Sequence, residues 1–283
     1  MADCPVTPCS HVLASIRPAL RSLKRSLTGA AEEIRCYASD ILAHLKASEL
    51  ELPADCLSKQ PAVSHKLRAV LVDWMIALHW KFKLDPETLY LSVALMDRYM
   101  SVETVSRQQL QLLGVAVVLV ASKYEDIYPP EVKEFLLATE NAYTRRQLLE
   151  MEVCVLNALE FKLTAPSAWR FLERFVIETP LTDRNRHLAE YLLELSLVEY
   201  HMLRYKASLQ AAAATLIALR AQRKETRWTP NLEAVTGWSE SQLRDCARDM
   251  LVLFQAAPKH ALSAVREKYS RPEKCEVAKI ILM

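Results

Sequence analysis

Three glycines in 283 residues is the largest deficit of this sequence. At average usage a chain of this length would carry about 20. Hairpin-rich sheets need glycine where φ is positive, and phosphate-binding loops need it where backbone approaches an anion. With only Gly29, Gly114 and Gly237, no GxGxxG or GxxxxGK[ST] can be assembled, and a helical chain with short connections remains. Long apolar runs are also missing. Leu112 to Ala121 is the longest, well short of the roughly 18–20 residues that cross a bilayer, and the N-terminus has no sustained apolar stretch of the secretory type. Excess charge is absent too. The net charge is +2, too small to mark a nucleic-acid binder by bulk charge. The seven cysteines (Cys4, Cys9, Cys36, Cys56, Cys154, Cys246 and Cys275) form no CxxC pair and no metal spacing, so no metal site or cofactor is expected. An odd count without a framework points to reduced thiols. Cys154 and Cys246 stand in apolar helical runs and read as small hydrophobes.

What is present is a succession of helical patterns. Residues 1–31 form a basic leader, with Arg17, Arg21, Lys24 and Arg25 against the single acid Asp3. Its acid-poor composition is shared by mitochondrial transit peptides, and a solvated, disordered leader is the plainer reading. From Glu32 to about Glu49, Ile34, Tyr37, Ala38, Ile41, Leu42 and Leu45 recur at helical spacing. Pro53 and Pro61 punctuate a linker. Further helices are expected from Ser64 to Phe82, from Asp85-Pro86-Glu87 to Met100, from a Ser106 cap to Asp126, from Glu131 to Ala138, and from a Thr144 cap to Leu159. A second series opens at Pro166, Asp183 (to about Leu203), Ser208, Pro230 and Ser239, and a short helix from Ala261 to Tyr269 follows. Leu89, Val93, Ala94 and Met96 match Leu188, Leu192, Leu193 and Leu195 at one constant offset, as Leu110-Gln111 matches Leu209-Gln210. A repeat of about 100 residues exceeds the helical-solenoid units and suits a duplicated five-helix domain. Gly114 and its counterpart Ala213 keep one helical position small in both copies, which suggests a close-packing point.

The segment Leu67 to Leu78 is apolar almost all round, interrupted by Arg68 and Asp73, and is expected to be the centre of the first domain. A charge on a buried face needs a partner. Asp97 is the candidate for Arg68, with snorkelling to solvent as the alternative. Lys123 suits the C-terminal end of its helix by the dipole alone, and Glu152 reads as a solvated helix-face charge. No triad, Cys/His pair or paired carboxylates can be argued, so the chain is not read as an enzyme.

The run HKLRAVLVDWMIALHWKFKLDPETLYLSVALMDRYMS, with SKYEDIYPPEVKEF and LEMEVCVLNALEFKLTAP, closely resembles the cyclin family, and most closely its mitotic A/B-type members. The resemblance runs from Tyr37 to Tyr269, more weakly in the second half, as in AEYLLELSL and AVREKYS. It implies an all-α fold of two tandem five-helix cyclin boxes with an N-terminal helix and a short C-terminal helix. The corresponding division is 1–31 leader, 32–62 N-terminal helix and linker, 63–163 first box, 164–258 second box, and 259–283 C-terminal helix and tail.

The family's five signature positions are filled by Arg68, Asp97, Leu112, Lys123 and Glu152. The resemblance implies a buried Arg68–Asp97 ion pair. It also implies a surface facing a cyclin-dependent protein kinase, made of Lys123, Glu152, Val120, Tyr124, Leu156 and Phe161, with Asp40 and Ile41 from the N-terminal helix. The expected role is a regulatory, non-catalytic one in the cell cycle, at the G2/M or S/G2 stage and in nucleus and cytoplasm. No nucleic-acid or membrane partner is implied. Leu67, Val70, Leu71 and Trp74, with Leu110, Gln111 and Asp73, match a hydrophobic groove that captures substrates or inhibitors carrying Arg-x-Leu. Ala77 stands where A-type relatives place an acid, so Arg recognition would fall to Asp73 and be weakened. Arg17-Pro-Ala-Leu20 gives the RxxL of a destruction box, but Arg25 stands where that motif has Asn. The alternative is a cyclin-fold transcription-related protein, either a transcriptional-kinase cyclin or a DNA-binding general factor. For DNA binding the densest basic run is Arg220, Arg223, Lys224 and Arg227.

Overall fold

The computed structural model describes residues 37–49, 55–179, 181–222 and 228–281. The leader with its RxxL, three cysteines (Cys4, Cys9 and Cys36), Gly29 and the basic residues Arg223, Lys224 and Arg227 lie outside them. Twelve α-helices and no strand occur among the described residues. The chain divides into two units, at Ala47 and Ser48. The first contains helix α1 (Ala38–Ala47). Asp40 in its first turn and His44 and Lys46 in its last oppose the helix dipole favourably at both ends.

The second unit opens with five helices: α2 (His65–Phe82), α3 (Pro86–Val102), α4 (Leu110–Glu125), α5 (Val132–Ala138) and α6 (Arg145–Ala158). Five more follow: α7 (Ala168–Ile177), α8 (Asp183–Val198), α9 (Ala207–Ala221), α10 (Pro230–Thr236) and α11 (Glu240–Ala256). Helix α12 (Ala264–Tyr269) closes the series. Local chemistry sets most of the starts. Ser64 accepts from the Leu67 N–H, Asp85 from that of Glu87 with Pro86 at the first helical position, and Thr144 forms a reciprocal cap with Gln147. Each such cap is worth about 1 kcal/mol.

Several starts and ends differ from the sequence reading; the helix expected from Ala261 begins only at Ala264, and the one expected to end at Met100 runs to Val102. Ser106 bonds Gln109 in a separate turn and α4 begins only at Leu110. Helix α7, expected to open at Pro166, is capped by Ser167 and begins at Ala168, and Thr182 caps α8 in place of Asp183. Helix α8 stops at Val198, and a 3-10 turn over Tyr200–Arg204 completes the stretch.

The hub of the first box is α4 and not, as its apolar sequence suggested, α2. Helix α4 is buried continuously from Leu112 to Ser122 and packs on α2, α3, α5 and α6. Helix α2 exposes Val70 and Ala77, and its other buried side belongs to the second half of the chain, where it packs on α8 and α12. The second box repeats the plan: α9, buried from Ala211 to Leu219, packs on α7, α8, α10 and α11. A Cβ on Gly114 would meet Leu71 Cδ1 at 2.7 Å, so α2 and α4 pack closely there and a side chain at 114 would force Leu71 to shift. Ala213 is fully buried at the equivalent place. Gly237 supplies the left-handed C-cap of α10, at φ 76°. Cys246 is buried in α11, but Cys154 is exposed, because the buried face of α6 carries Leu148, Met151 and Val155.

Candidate functional site

Arg68 and Asp97 are the most fully buried charges among the described residues. The Arg68 Nε donates to Asp97 Oδ1 and Nη2 to Oδ2, both at 2.7 Å, with 0% and 1% of the side chains exposed. This two-pronged geometry satisfies both carboxylate oxygens. Burial alone would depress the Arg68 pKa, but Asp97 outweighs it and the pKa stands above its ordinary value. Sequence reasoning did not foresee the third side of this guanidinium. Its Nη1 donates to the carbonyls of Leu197, at 3.1 Å, and Val198, at 3.4 Å, at the end of α8. The Tyr200 ring lies 5.7 Å from Arg68 Cζ, and Tyr200 Oη donates to Asp55. The pair therefore joins the two boxes. The neighbouring Cys56 thiol is pushed up to about 11 by burial and by Asp97.

On the surface, Lys123 lies in the last turn of α4 and Glu152 midway along α6. Their Nζ and Oε1 are 2.6 Å apart, with 44% and 13% of the side chains exposed. Tyr124 follows Lys123 in α4, and Phe161 stands just past the end of α6, the helix that carries Glu152. Tyr124 is half exposed, and its hydroxyl shares a 2.5 Å hydrogen bond with Thr164. Phe161 is 65% exposed. Glu160 and Phe161 have φ of 51° and 56°, and the Phe161 N–H bonds the Leu156 carbonyl at 2.9 Å, closing the end of α6. A bulky residue in the left-handed region is strained by about 1–2 kcal/mol, and here the ring is also held in water. Leu156 is half-buried and Val120 is buried in α4. Asp40 and Ile41 lie in the first turns of α1 and are exposed. Ile127 and Tyr128, almost wholly exposed just after α4, were missed. Their signal was two large apolar residues directly before Pro129-Pro130, where no helix can form to bury them.

The seven groove residues separate by depth. Val70 is exposed, Leu67, Trp74 and Gln111 are half-buried, and Leu71 and Leu110 are buried. Asp73 Oδ1 accepts the Ala264 N–H at 3.0 Å, and burial raises the pKa of this carboxyl. That oxygen is thus engaged with the start of α12. Ala77 is exposed. Arg220, the described member of the basic run, pairs with Glu240 at 2.7 Å. Among the described residues no group of three or more His, Cys, Asp or Glu could hold a metal ion, and no helix is long and apolar enough to cross a membrane.

Two family models match the chain: the cyclin N-terminal domain over residues 40–164 and the cyclin C-terminal domain over residues 166–281. A G2/mitotic-specific cyclin, S13-6, of Glycine max is 41% identical over 243 residues, covering 86% of this chain and 54% of the relative. Cyclin-A1-2 of Oryza sativa subsp. japonica is 42% identical over 246 residues, covering 84% and 52%. The chain thus spans about half the length of these two relatives. The crystal structure of a viral cyclin from herpesvirus saimiri superimposes with a TM-score of 0.68 at 24% identity, over 75% of this chain and 96% of that one, which is a likeness of fold.

Proposed function

The chain belongs to the cyclin family, and on that footing we propose that it is the regulatory subunit of a cyclin-dependent protein kinase, acting around the G2/M or S/G2 stage of the cell cycle in nucleus and cytoplasm. Relatives named as G2/mitotic-specific support the stage. The observations that support the binding surface are the Lys123–Glu152 pair and, just past the end of the helix that carries Glu152, a Phe161 exposed at a strained backbone position. A large apolar ring left 65% exposed is what an interface anchor offers, because its burial on binding removes apolar area from water.

An inactive kinase lacks a correctly placed C-helix, on which its Lys–Glu ion pair depends, and an ordered activation loop. The cyclin supplies no catalytic group. It binds the active arrangement better than the inactive one and shifts the population by that difference. Lys123 and Glu152 would fix register within an apolar contact of about 2,000 Å² or more. The Val70, Leu67 and Trp74 face would recruit substrates or inhibitors carrying Arg-x-Leu. With Ala77 in place of an acid and Asp73 engaged at Ala264, recognition of the motif's Arg is weakened.

Reconstitution with cyclin-dependent kinases and a histone substrate tests the reading. Activation of at least one kinase is expected, as is its loss in Lys123→Ala and Glu152→Ala with unchanged circular dichroism. Activation of none removes the function, and full activation by both variants removes the surface. For the groove, an Arg-x-Leu peptide should bind Trp74→Ala more weakly than the unmodified chain; equal affinity excludes that site.

A further inference from the structure

The Arg-x-Leu triplet read by the proposed groove occurs five times in this chain. Three copies lie in helices: Arg146-Gln147-Leu148 in α6, Arg170-Phe171-Leu172 in α7 and Arg186-His187-Leu188 in α8. Their leucines are 0%, 2% and 1% exposed, so folding withdraws all three as ligands. The other two stand in the leader, outside the described residues. They run in tandem, as Arg21-Ser22-Leu23 and Arg25-Ser26-Leu27 with Lys24 between them.

The receiving face suits such a stretch in two ways. Val70 is exposed on α2 beside the half-buried Leu67 and Trp74, so a leucine laid there removes apolar area from water on both sides. At the edge of this face Asp73, whose pKa burial raises, also feels the carboxylate of the exposed Glu267 in α12. The stretch from Arg21 to Leu27 carries three cations and no acid. Its charge is therefore complementary to that edge.

We infer that the groove is occupied by this chain's own leader, through the tandem stretch Arg21–Leu27, so that substrates and inhibitors must displace it. The inference rests on the groove reading given above and adds its regulation. A ligand carried on the same chain is presented at an effective concentration of about a millimolar. With a Kd of about 0.1 mM it would fill about nine grooves in ten and weaken any competing ligand about tenfold. Even the weakened Arg recognition expected with Ala77 thus suffices for a tethered motif.

The probe is a fluorescein-labelled peptide of residues 19–29, followed by anisotropy. It is titrated with the full chain and with the full chain carrying Arg21→Ala, Leu23→Ala, Arg25→Ala and Leu27→Ala. The substituted chain is expected to bind the peptide about tenfold more tightly than the unmodified chain. Adding Trp74→Ala to it should abolish that binding. Should Trp74→Ala fail to fold, Val70→Glu, at a 53% exposed position, takes its place. Equal binding by the two chains that still depends on Trp74 would overturn the inference and leave the groove standing. No binding by the substituted chain, or binding that Trp74→Ala leaves intact, would remove the groove reading and the inference with it. The unmodified chain should sediment as a monomer over the same concentrations. A dimer that the leader substitutions dissolve would assign the occupant to a second copy and overturn occupation by the chain's own leader.

Discussion

Leu71 of α2 rests against Gly114 of α4 so closely that an added Cβ would lie 2.7 Å from Cδ1 and 3.3 Å from Cγ. Gly114→Ala gains about 1 kcal/mol of helix propensity and incurs about 1–3 kcal/mol of overpacking. A net loss of about 1 kcal/mol is expected in urea unfolding. The larger Gly114→Val should lose distinctly more. A net gain for Gly114→Val would mean that Leu71 yields freely.

The Arg68–Asp97 pair gives a second expectation. Asp97→Asn leaves a buried guanidinium without its counter-charge, and a loss of about 3–5 kcal/mol is expected. Replacing both, as Arg68→Met with Asp97→Leu, should be milder than Asp97→Asn, since no buried charge remains. Denaturant midpoints with unchanged slopes check the order.

Phe161 should show stability and binding moving apart. Phe161→Gly relieves about 1–2 kcal/mol of left-handed strain and raises unfolded-chain entropy by about 0.5–1 kcal/mol. Because the ring is 65% exposed, little burial is lost. Thermal stability should hold or rise slightly, while affinity for the kinase falls at least about tenfold. A drop in both would make Phe161 an ordinary packing residue.

Two buried groups give the stability a pH profile with opposing limbs. Glu87, whose carboxyl is pushed to about 7 chiefly by burial and faces Ser167, Arg170, Glu125 and Glu173, holds more protons folded than unfolded. Its contribution is full below the ordinary value near 4.5 and is lost as pH rises through 7. His79, lowered to about 4 by burial and by Lys268, holds fewer protons folded. Its contribution is present above the ordinary 6.5 and is lost as pH falls through 4. Between these values the limbs offset each other, each on the order of a few kcal/mol. Glu87→Gln should leave stability rising with pH from 4 to 6.5, and His79→Gln should leave it falling from 4.5 to 7. Identical profiles for all three chains would count against both assignments.

Most helix starts were legible because they rest on local bonds, as at Ser64, Asp85 and Thr144, and the duplication was legible because both copies keep one apolar rhythm. What escaped the sequence depends on the other box. The apolar circumference of α2 was read as the centre of one domain, yet it is two faces with two different neighbours. Arg68 pointed to Asp97 by charge, whereas its bonds to Leu197 and Val198 are to backbone, which no residue type announces. Cys154 stands one position off a buried face, within the error of a periodicity.

The carbonyls that complete Arg68 have a consequence in time. A ribosome delivers Arg68 and Asp97 first and reaches Leu197 only about 100 residues later, a delay of about 5–20 s at ordinary elongation rates. Throughout it the nascent first box holds an ion pair with one donor still unmet, and α2 still lacks α8 and α12. The first half therefore waits for the second before its register is locked, and a ribosome stalled between them would display an unfinished box to the chaperones around it.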